Sequence, residues 1–587
     1  MLPLLKKCFS LSIAVTLCIT VLAQPSTRDS TRRFPTTPPT TGPRPYKEVI
    51  TDKAKTDDGL FKVHKIDDKY FFEIPDSLMN RDILVVNRIS KAAAGMRIGG
   101  FFGYAGDQIG QNVIRFQKGP NNKLFLLNIS YAEYAKDSTS PMFTAVNNSN
   151  IQPIAAAFDI RSLGKDSTGV VIEVTDYING DNDVLHFSGS LKSSLRFASI
   201  QSDKSYIVSV KSYPINVEIK TVKTYSRMAS LPGAAGGTSS NMTVELNSSL
   251  VLLPKSPMQA RYFDKRVGYF NVGYVDYDAN PQGVESISVV QRWRLEPKDE
   301  DMEKYKRGEL VEPKKQIVYY IDPATPKKWI PYLMLGVNDW QVAFEKAGFK
   351  NAIVAKVAPT WREDSTWSLD DARNSAIVYK PSDIANASGP RISDPRSGEI
   401  MESHINWYHN VMELIHDWYM IQAGPNDPKA RKMLYDDELM GQLIRFVSSH
   451  EVGHTLGLRH NFGSSSSVPV ENLRNKAWVE ANGHTPSIMD YARFNYVAQP
   501  EDNISEVGLF PRIGDYDKWA IQWGYKLFPQ FKSAEEEQGY LNRWVIDSLK
   551  NRRLWWGDGE SNQDDPRSQT EDLSNDAVKA SMYGIKN

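Results

Sequence analysis

Between residues 47 and 297 the apolar positions come in short runs separated by turns. DKYFFEI, RDILVVNRI, NVIRFQK, KLFLLNISY, GVVIEVTDYI, KSYIVSVKSY and VESISVVQRWRL are rich in Val, Ile, Tyr and Phe. Such side chains suit a pleated, half-buried surface, and GPNN and NGDND between runs are turn-formers. The pattern predicts a β-rich region, one domain or a pair, without a repeat. Glycine-rich LPGAAGGTSS (231–240) predicts a mobile loop.

The pattern changes after residue 316. QIVYYIDPATP predicts a strand, and PKKWIPYLMLGVNDWQVAFEKAGFKN predicts one helix stopped at Gly348. NAIVAKVAP, NSAIVYKPS and GEIMESHINWYHN (398–410) predict further strands. DDELMGQLIRFVSSHEVGHTLGL predicts a second helix, with two acids at the positive end of its dipole. The expected fold class is therefore α+β: a β-rich region over 47–297, then an α/β unit over 317–530. The stretch 298–315 is charged at 12 of 18 positions, which suits either a connector or one solvated helix; the linker is placed at 298–316. Residues 531–587 read as a C-terminal helical segment.

Composition is globular, with 41% hydrophobic and 24% charged residues and a formal charge of zero. Nothing there favours nucleic acid as a partner. MLPLLKK followed by the apolar run Cys8–Ala23 reads as a signal peptide over 1–23. It is too short and too interrupted by Ser and Thr to span a bilayer, so no transmembrane helix is expected in the mature chain. Cleavage after Ala23 removes both cysteines and two lysines, leaving 68 basic against 70 acidic residues, a net −2. An exported chain without cysteine has no disulfides and must rely on core burial or on metal ions. Lipid attachment at Cys18 is disfavoured by Leu17. Residues 24–46, rich in Pro and Thr, read as an extended tether. The expected location is periplasmic, cell-surface or secreted.

The candidate chemistry lies in SSHEVGHTLGLRHNF (448–462). His450 and His454, four apart, share one face of a helix and can reach one ion. Glu451 projects about 100° away and can stand beside a bound water. Gly457 can end the helix in a left-handed turn that brings His460 back as a third ligand. Three neutral nitrogens leave one position open, which is the catalytic zinc arrangement. HExxH alone arises by chance in roughly one chain in a hundred, and with Gly457 and His460 in on the order of one in 10⁵.

At these residues the chain resembles the metzincin zinc metallopeptidases, whose pattern is HExxHxxGxxH. PSIMDYARF (486–494) resembles the methionine turn of that family, placing Met489 under the imidazoles without ligating. The resemblance extends to Tyr491, a candidate stabiliser of the oxyanion. Asn461, after the third histidine, matches none of the usual branches. MQARYFDKRVGYF, AIVYKPSDI, DPRSGEIMESHINW and PRIGDYDKWAIQWGY resemble a group of exported bacterial zinc-dependent metalloproteases with a β-rich N-terminal domain of unknown function. Members of that group generally run longer, so the close in SNDAVKASMYGIKN reads as a truncated form. The resemblance implies hydrolysis of a protein or peptide with a zinc-activated water and Glu451 as general base. It also implies that 398–407 is the edge strand beside the cleft, available for strand addition by a peptide.

Two other classes stay open: an exported binding or adhesin-like protein with an inactive zinc site, and a zinc amidohydrolase acting on a non-protein amide. Intact Glu451 and ligands argue against the first. Loss of both cysteines with the leader excludes a cysteine switch, and Asp107 is a weaker candidate for a temporary ligand in latency. His404, His409 and His416 read as ordinary histidines. DYDAN (276–280) and DGESNQDD (558–565) have the oxygen density of a Ca²⁺ site, without an EF-hand pattern.

Overall fold

The β-branched and aromatic runs of the N-terminal half pair into one antiparallel sheet, twelve-stranded among the described residues, between Lys55 and Leu252. The computed structural model describes residues 42–93, 96, 102–135, 137–227 and 241–587. The expected leader, most of the tether and the loop 231–240 lie outside these residues. The longest ladder joins Asn216–Arg227 to Asn241–Leu252, with Val217 opposite Leu250 and Thr221 opposite Leu246. Asn241–Leu252 then pairs with Asp82–Lys91. Successive side chains point to opposite faces of a strand, and both faces of this sheet's centre are apolar. Ile83, Val85, Ile114 and Ile219 fill a core within the N-terminal half. Their neighbours Leu84, Val86, Val113 and Val251 pack instead on Ala372 and Ile392 of the second half. Both halves belong to a single unit, Pro43–Asn587. The run GVVIEVTDYI is a strand only over Val170–Glu173 and turns helical at Thr175–Asn179.

The second half is built on a five-stranded sheet. Its spatial order is Ile353–Val357, Ile317–Ile321, Ser375–Lys380, His404–Tyr408 and Ala387–Ser388. The first four are parallel and the last is antiparallel. The expected strand 398–410 is split at Ser403, whose hydroxyl donates to Pro390 O and whose N–H meets Ser375 Oγ. Ile400–Glu402 pairs with Ile392–Ser393, while His404–Tyr408 enters the main sheet. Because Asn406 and Trp407 are paired on both sides, 398–407 is not the edge; the edge on that side is Ala387–Ser388, with Ile353–Val357 at the other.

The expected single helix before Gly348 is two, Ile330–Asn338 and Gln341–Lys346. The break at Asp339–Trp340 serves packing. Asp339 pairs with Arg445, and the fully buried Trp340 donates Nε1–H to Ser449 O. Gly336 lies where a Cβ would come within 2.5 Å of Ser448, so the two helices approach closely there. The charged stretch 298–315 includes the short helix Met302–Lys306, and Tyr305 is buried in the second core, its hydroxyl on Ala347 O. Tyr269, Val290, Trp293 and Leu295, from the region expected to be N-terminal, lie in that same core.

Candidate metal centre

The helix Asp437–Thr455 carries the first two histidines. Asp436 caps it, accepting from Leu439 N, and Asp437 and Glu438 occupy its first turn. Its far end is buried, so the orphan carbonyls need donors. Trp293 Nε1 supplies Thr455 O and Tyr525 OH supplies Leu456 O, each at 2.9 Å. Gly457 then turns the chain with φ +96°. It also lies against the chain before Trp293, since a Cβ would sit 2.0 Å from Gln291 O. The returning strand is held by backbone bonds from Phe270 N to Gly457 O and from Arg459 N to Gly268 O. Residues 268–270 therefore frame the loop that delivers His460.

The three imidazoles converge. His450 Nε2 and His454 Nε2 lie 3.2 and 3.1 Å from His460 Nε2. Each Nδ1 faces an acceptor: Ile488 O at 2.8 Å for His450, Leu458 O at 2.9 Å for His454, and Glu560 Oε1 at 2.5 Å for His460. Those acceptors assign the proton to Nδ1. The Nε2 atoms then present three lone pairs to one point with no proton to share, an arrangement that repels unless a cation sits between them. Tetrahedral zinc with Zn–N near 2.0–2.1 Å sets its nitrogens about 3.3 Å apart, so the triad fits zinc. Burial pushes the imidazolium of His450 down to about 3 and that of His454 well below its usual value, with the neighbouring His460 adding to both. Both are thus neutral, as ligands must be.

Glu451 is buried beside the triad, and burial pushes its carboxyl up to about 8, opposed by the Gly389 N–H and the more distant Arg493. Gly389, directly after the edge strand, lies so close that a Cβ would be 2.4 Å from Glu451 O. Met489 is fully buried, its sulfur against Gly453 between the two helical histidines. The turn that carries it hangs on Asp517, whose carboxylate accepts from Ser487 Oγ, Ile488 N and Gly514 N. The ring of Tyr491 lies 4.4 Å from that of His460 and 5.6 Å from that of His450. Its hydroxyl is pushed up to about 12, by burial first and by Glu451 next, and so keeps its proton. Arg493 stacks on that ring at 3.8 Å.

All seven residues singled out in the sequence, His450, Glu451, His454, Gly457, His460, Met489 and Tyr491, meet at this centre. The partners that hold these residues emerge only here. Asn461 joins the methionine turn to the C-terminal segment: its N–H donates to Met489 O, its Nδ2 to Trp555 O, and its Oδ1 accepts from Gly557 N. Trp556 Nε1 donates to His460 O. Residues 531–587 are thus not uniformly helical. Between the helices Ala534–Ser548 and Ala577–Gly584 the chain crosses back to the centre. Glu560 belongs to DGESNQDD, and its role shows why the calcium reading of that stretch fails: Asp558 and Glu560 are engaged by Arg459 and His460. The DYDAN acids are likewise occupied, Asp276 by Asp278 N and Ala279 N, and Asp278 by Asp137 N and Ser140 Oγ. Asp107 is held within its own turn by Gly103 N and Tyr104 N and is not among the residues that converge as a metal cluster. His404 pairs with Glu402, His409 with Tyr379 OH, and His416 with Asp417. Among the described residues the triad is the one cluster able to hold a metal ion. No helix among them is long and apolar enough to cross a membrane.

Residues 432–587 match a family model described as Met-zincin. Two further models, each described as a domain of unknown function, match residues 106–298 and 43–92. Neither the curated proteins nor the solved structures contain a match.

Proposed function

We propose, from the premise that residues 432–587 form a Met-zincin domain of the zinc-metallopeptidase type, that the protein is an exported endopeptidase. The observation that carries this reading is a buried carboxylate, Glu451, beside three imidazoles whose free Nε2 atoms converge. Zinc held on His450, His454 and His460 would supply a Lewis acid that polarises a peptide carbonyl and acidifies water. A dication on the imidazoles would favour the ionised form of Glu451, which then takes the proton of the attacking water and returns it to the leaving amine. Tyr491, kept protonated by burial, donates its O–H to the developing oxyanion. The outer edge of Ala387–Ser388 pairs with an extended substrate, which places the scissile bond near Gly389 and Glu451. The leader-like start of the chain supports export, with a mature N-terminus at Gln24.

The test pairs metal content with proteolysis. The full chain and Glu451→Gln are each loaded with zinc, counted for zinc per chain, and assayed on an unfolded protein. One zinc in each, with cleavage by the unmutated chain alone, is the expected result. Equal cleavage by both would remove Glu451 from the mechanism. Zinc in each without cleavage by either would favour a binding protein or a non-protein amide as substrate.

A further inference from the structure

The two halves flank a partly open cavity of about 220 Å³ at their junction, with charged side chains in its wall. Its wall carries more cations than the protein itself neutralises. Glu402 is matched by Arg88 at 3.2 Å and His404 at 3.0 Å, and Asp370 by Lys220 at 2.6 Å. Glu218 is held by the neutral donors Asn216, Asn247 and Ser249. Burial, with Glu402 and Asp370 adding, pushes Glu218 up to about 7, so it is a weak counter-ion.

Lys380 and Arg391 are left over. The Lys380 side chain makes no hydrogen bond or ion pair among the described residues; its ammonium lies beside Gly106, where a Cβ would be 2.5 Å away. Asp107, the carboxylate that faces it, is turned to Gly103 N and Tyr104 N. Arg391 gives Nε–H to the neutral Gln291 and stacks on Phe270 at 3.5 Å. Its two terminal nitrogens have no partner among the described residues. Desolvation pushes Lys380 down to about 8, with Asp107 opposing and Arg88 adding, and pushes Arg391 down to about 9, though both side chains keep some exposure. An anion entering the cavity would relieve that cost for both.

The cavity adjoins the catalytic centre. Pro390 and Arg391 line it and directly follow Gly389, which abuts Glu451. On the other side of Arg391, Phe270 leads to His454, with ring centroids 6.1 Å apart. A peptide extended along Ala387–Ser388 advances ~3.3 Å per residue, and Pro390 and Arg391 of the cavity wall lie two and three residues beyond Ser388.

We infer that this cavity is the subsite that receives a carboxylate of the substrate on Lys380 and Arg391, either an Asp or Glu side chain or the peptide's own C-terminal carboxylate. The inference rests on the peptidase reading. It also gives the N-terminal sheet a task, because Arg88, Glu218 and Lys220 complete the wall.

The experiment uses the full-length, zinc-loaded Glu451→Gln chain and fluorescence anisotropy of labelled peptides. One series exchanges Asp for Asn at each position along the peptide; the other exchanges a C-terminal acid for its amide. At least one acid is expected to bind tenfold or more tighter than its amide partner, and the series in which this occurs identifies the source of the carboxylate. In Lys380→Gln and Arg391→Gln the acid-to-amide ratio is expected to fall toward one, while Lys380→Arg retains most of it; thermal melting checks that each variant is folded. Equal binding of acids and amides would overturn the subsite, as would a ratio unmoved by the Gln variants. Cleavage of an unfolded protein by the unmutated chain is read in parallel. Cleavage without acid preference removes the subsite alone, and neither cleavage nor binding removes the peptidase reading with it.

Discussion

Glu560 Oε1 lies 2.5 Å from His460 Nδ1, across 100 residues of chain. A carboxylate in that position fixes the tautomer and the ring plane of the third ligand and raises the basicity of its Nε2. Arg459 holds the same carboxylate at 3.2 Å, so the residue before the ligand steadies the residue behind it. Glu560→Gln is expected to weaken zinc binding about 10- to 100-fold while leaving the chain folded. Competition against a chromogenic chelator measures this directly. An unchanged zinc affinity would make Glu560 a bystander.

Gly453 has no room for a methyl group. A Cβ there would sit 2.3 Å from Met489 Sδ and 2.8 Å from Trp340. Gly453→Ala gains helix propensity but forces Met489 out of its place, and overpacking of this kind costs about 1–3 kcal/mol. Lower thermal stability is expected in the metal-free and the zinc-loaded chain alike. A more stable variant would show that the methionine yields freely.

Tyr491→Phe keeps the ring that packs near His460 and Phe462 and removes only the hydroxyl. If the hydroxyl meets the oxyanion, kcat falls about 10²-fold or more with KM little changed. Zinc content should stay at one per chain. A fall in zinc content with kcat per bound zinc unaltered would assign the hydroxyl to the metal instead.

Glu218 gives stability a pH dependence. Its carboxyl sits at about 7 in the folded chain against an ordinary 4.5, with burial the first cause. Between these values the folded state binds the more protons, so stability falls as pH rises through that window and then levels. Glu218→Gln cannot ionise. Its loss of stability between pH 5 and pH 8 is expected to be smaller than that of the unmutated chain by roughly 2–3 kcal/mol. Denaturant unfolding at the two pH values reads the difference, and parallel slopes would show Glu218 already ionised at pH 5.

The metal ligands were legible because their geometry is local. Spacing of four on one helix face, then a glycine able to take positive φ, fixes where His450, His454 and His460 point before anything packs around them. The β-rich character of the first half was legible for the same reason: strand-forming side chains and turn residues act within a few positions. What the tertiary structure decided lies in contacts whose partners are far apart in the chain. Nothing in DGESNQDD distinguishes a carboxylate aimed at a histidine from one aimed at a calcium ion until Glu560 is seen against His460. Nothing in 398–410 shows that Ser403 splits the run, because the split depends on Pro390 and Ser375. Nor does the segment 330–346 declare its break, since a buried Trp340 on Ser449 O outweighs a helical pattern. Residue spacing carries the chemistry of the triad. Which carboxylate steadies it, which strand forms the edge of the sheet and which cations lack partners among the described residues depend on packing between distant segments, where spacing along the chain holds no information.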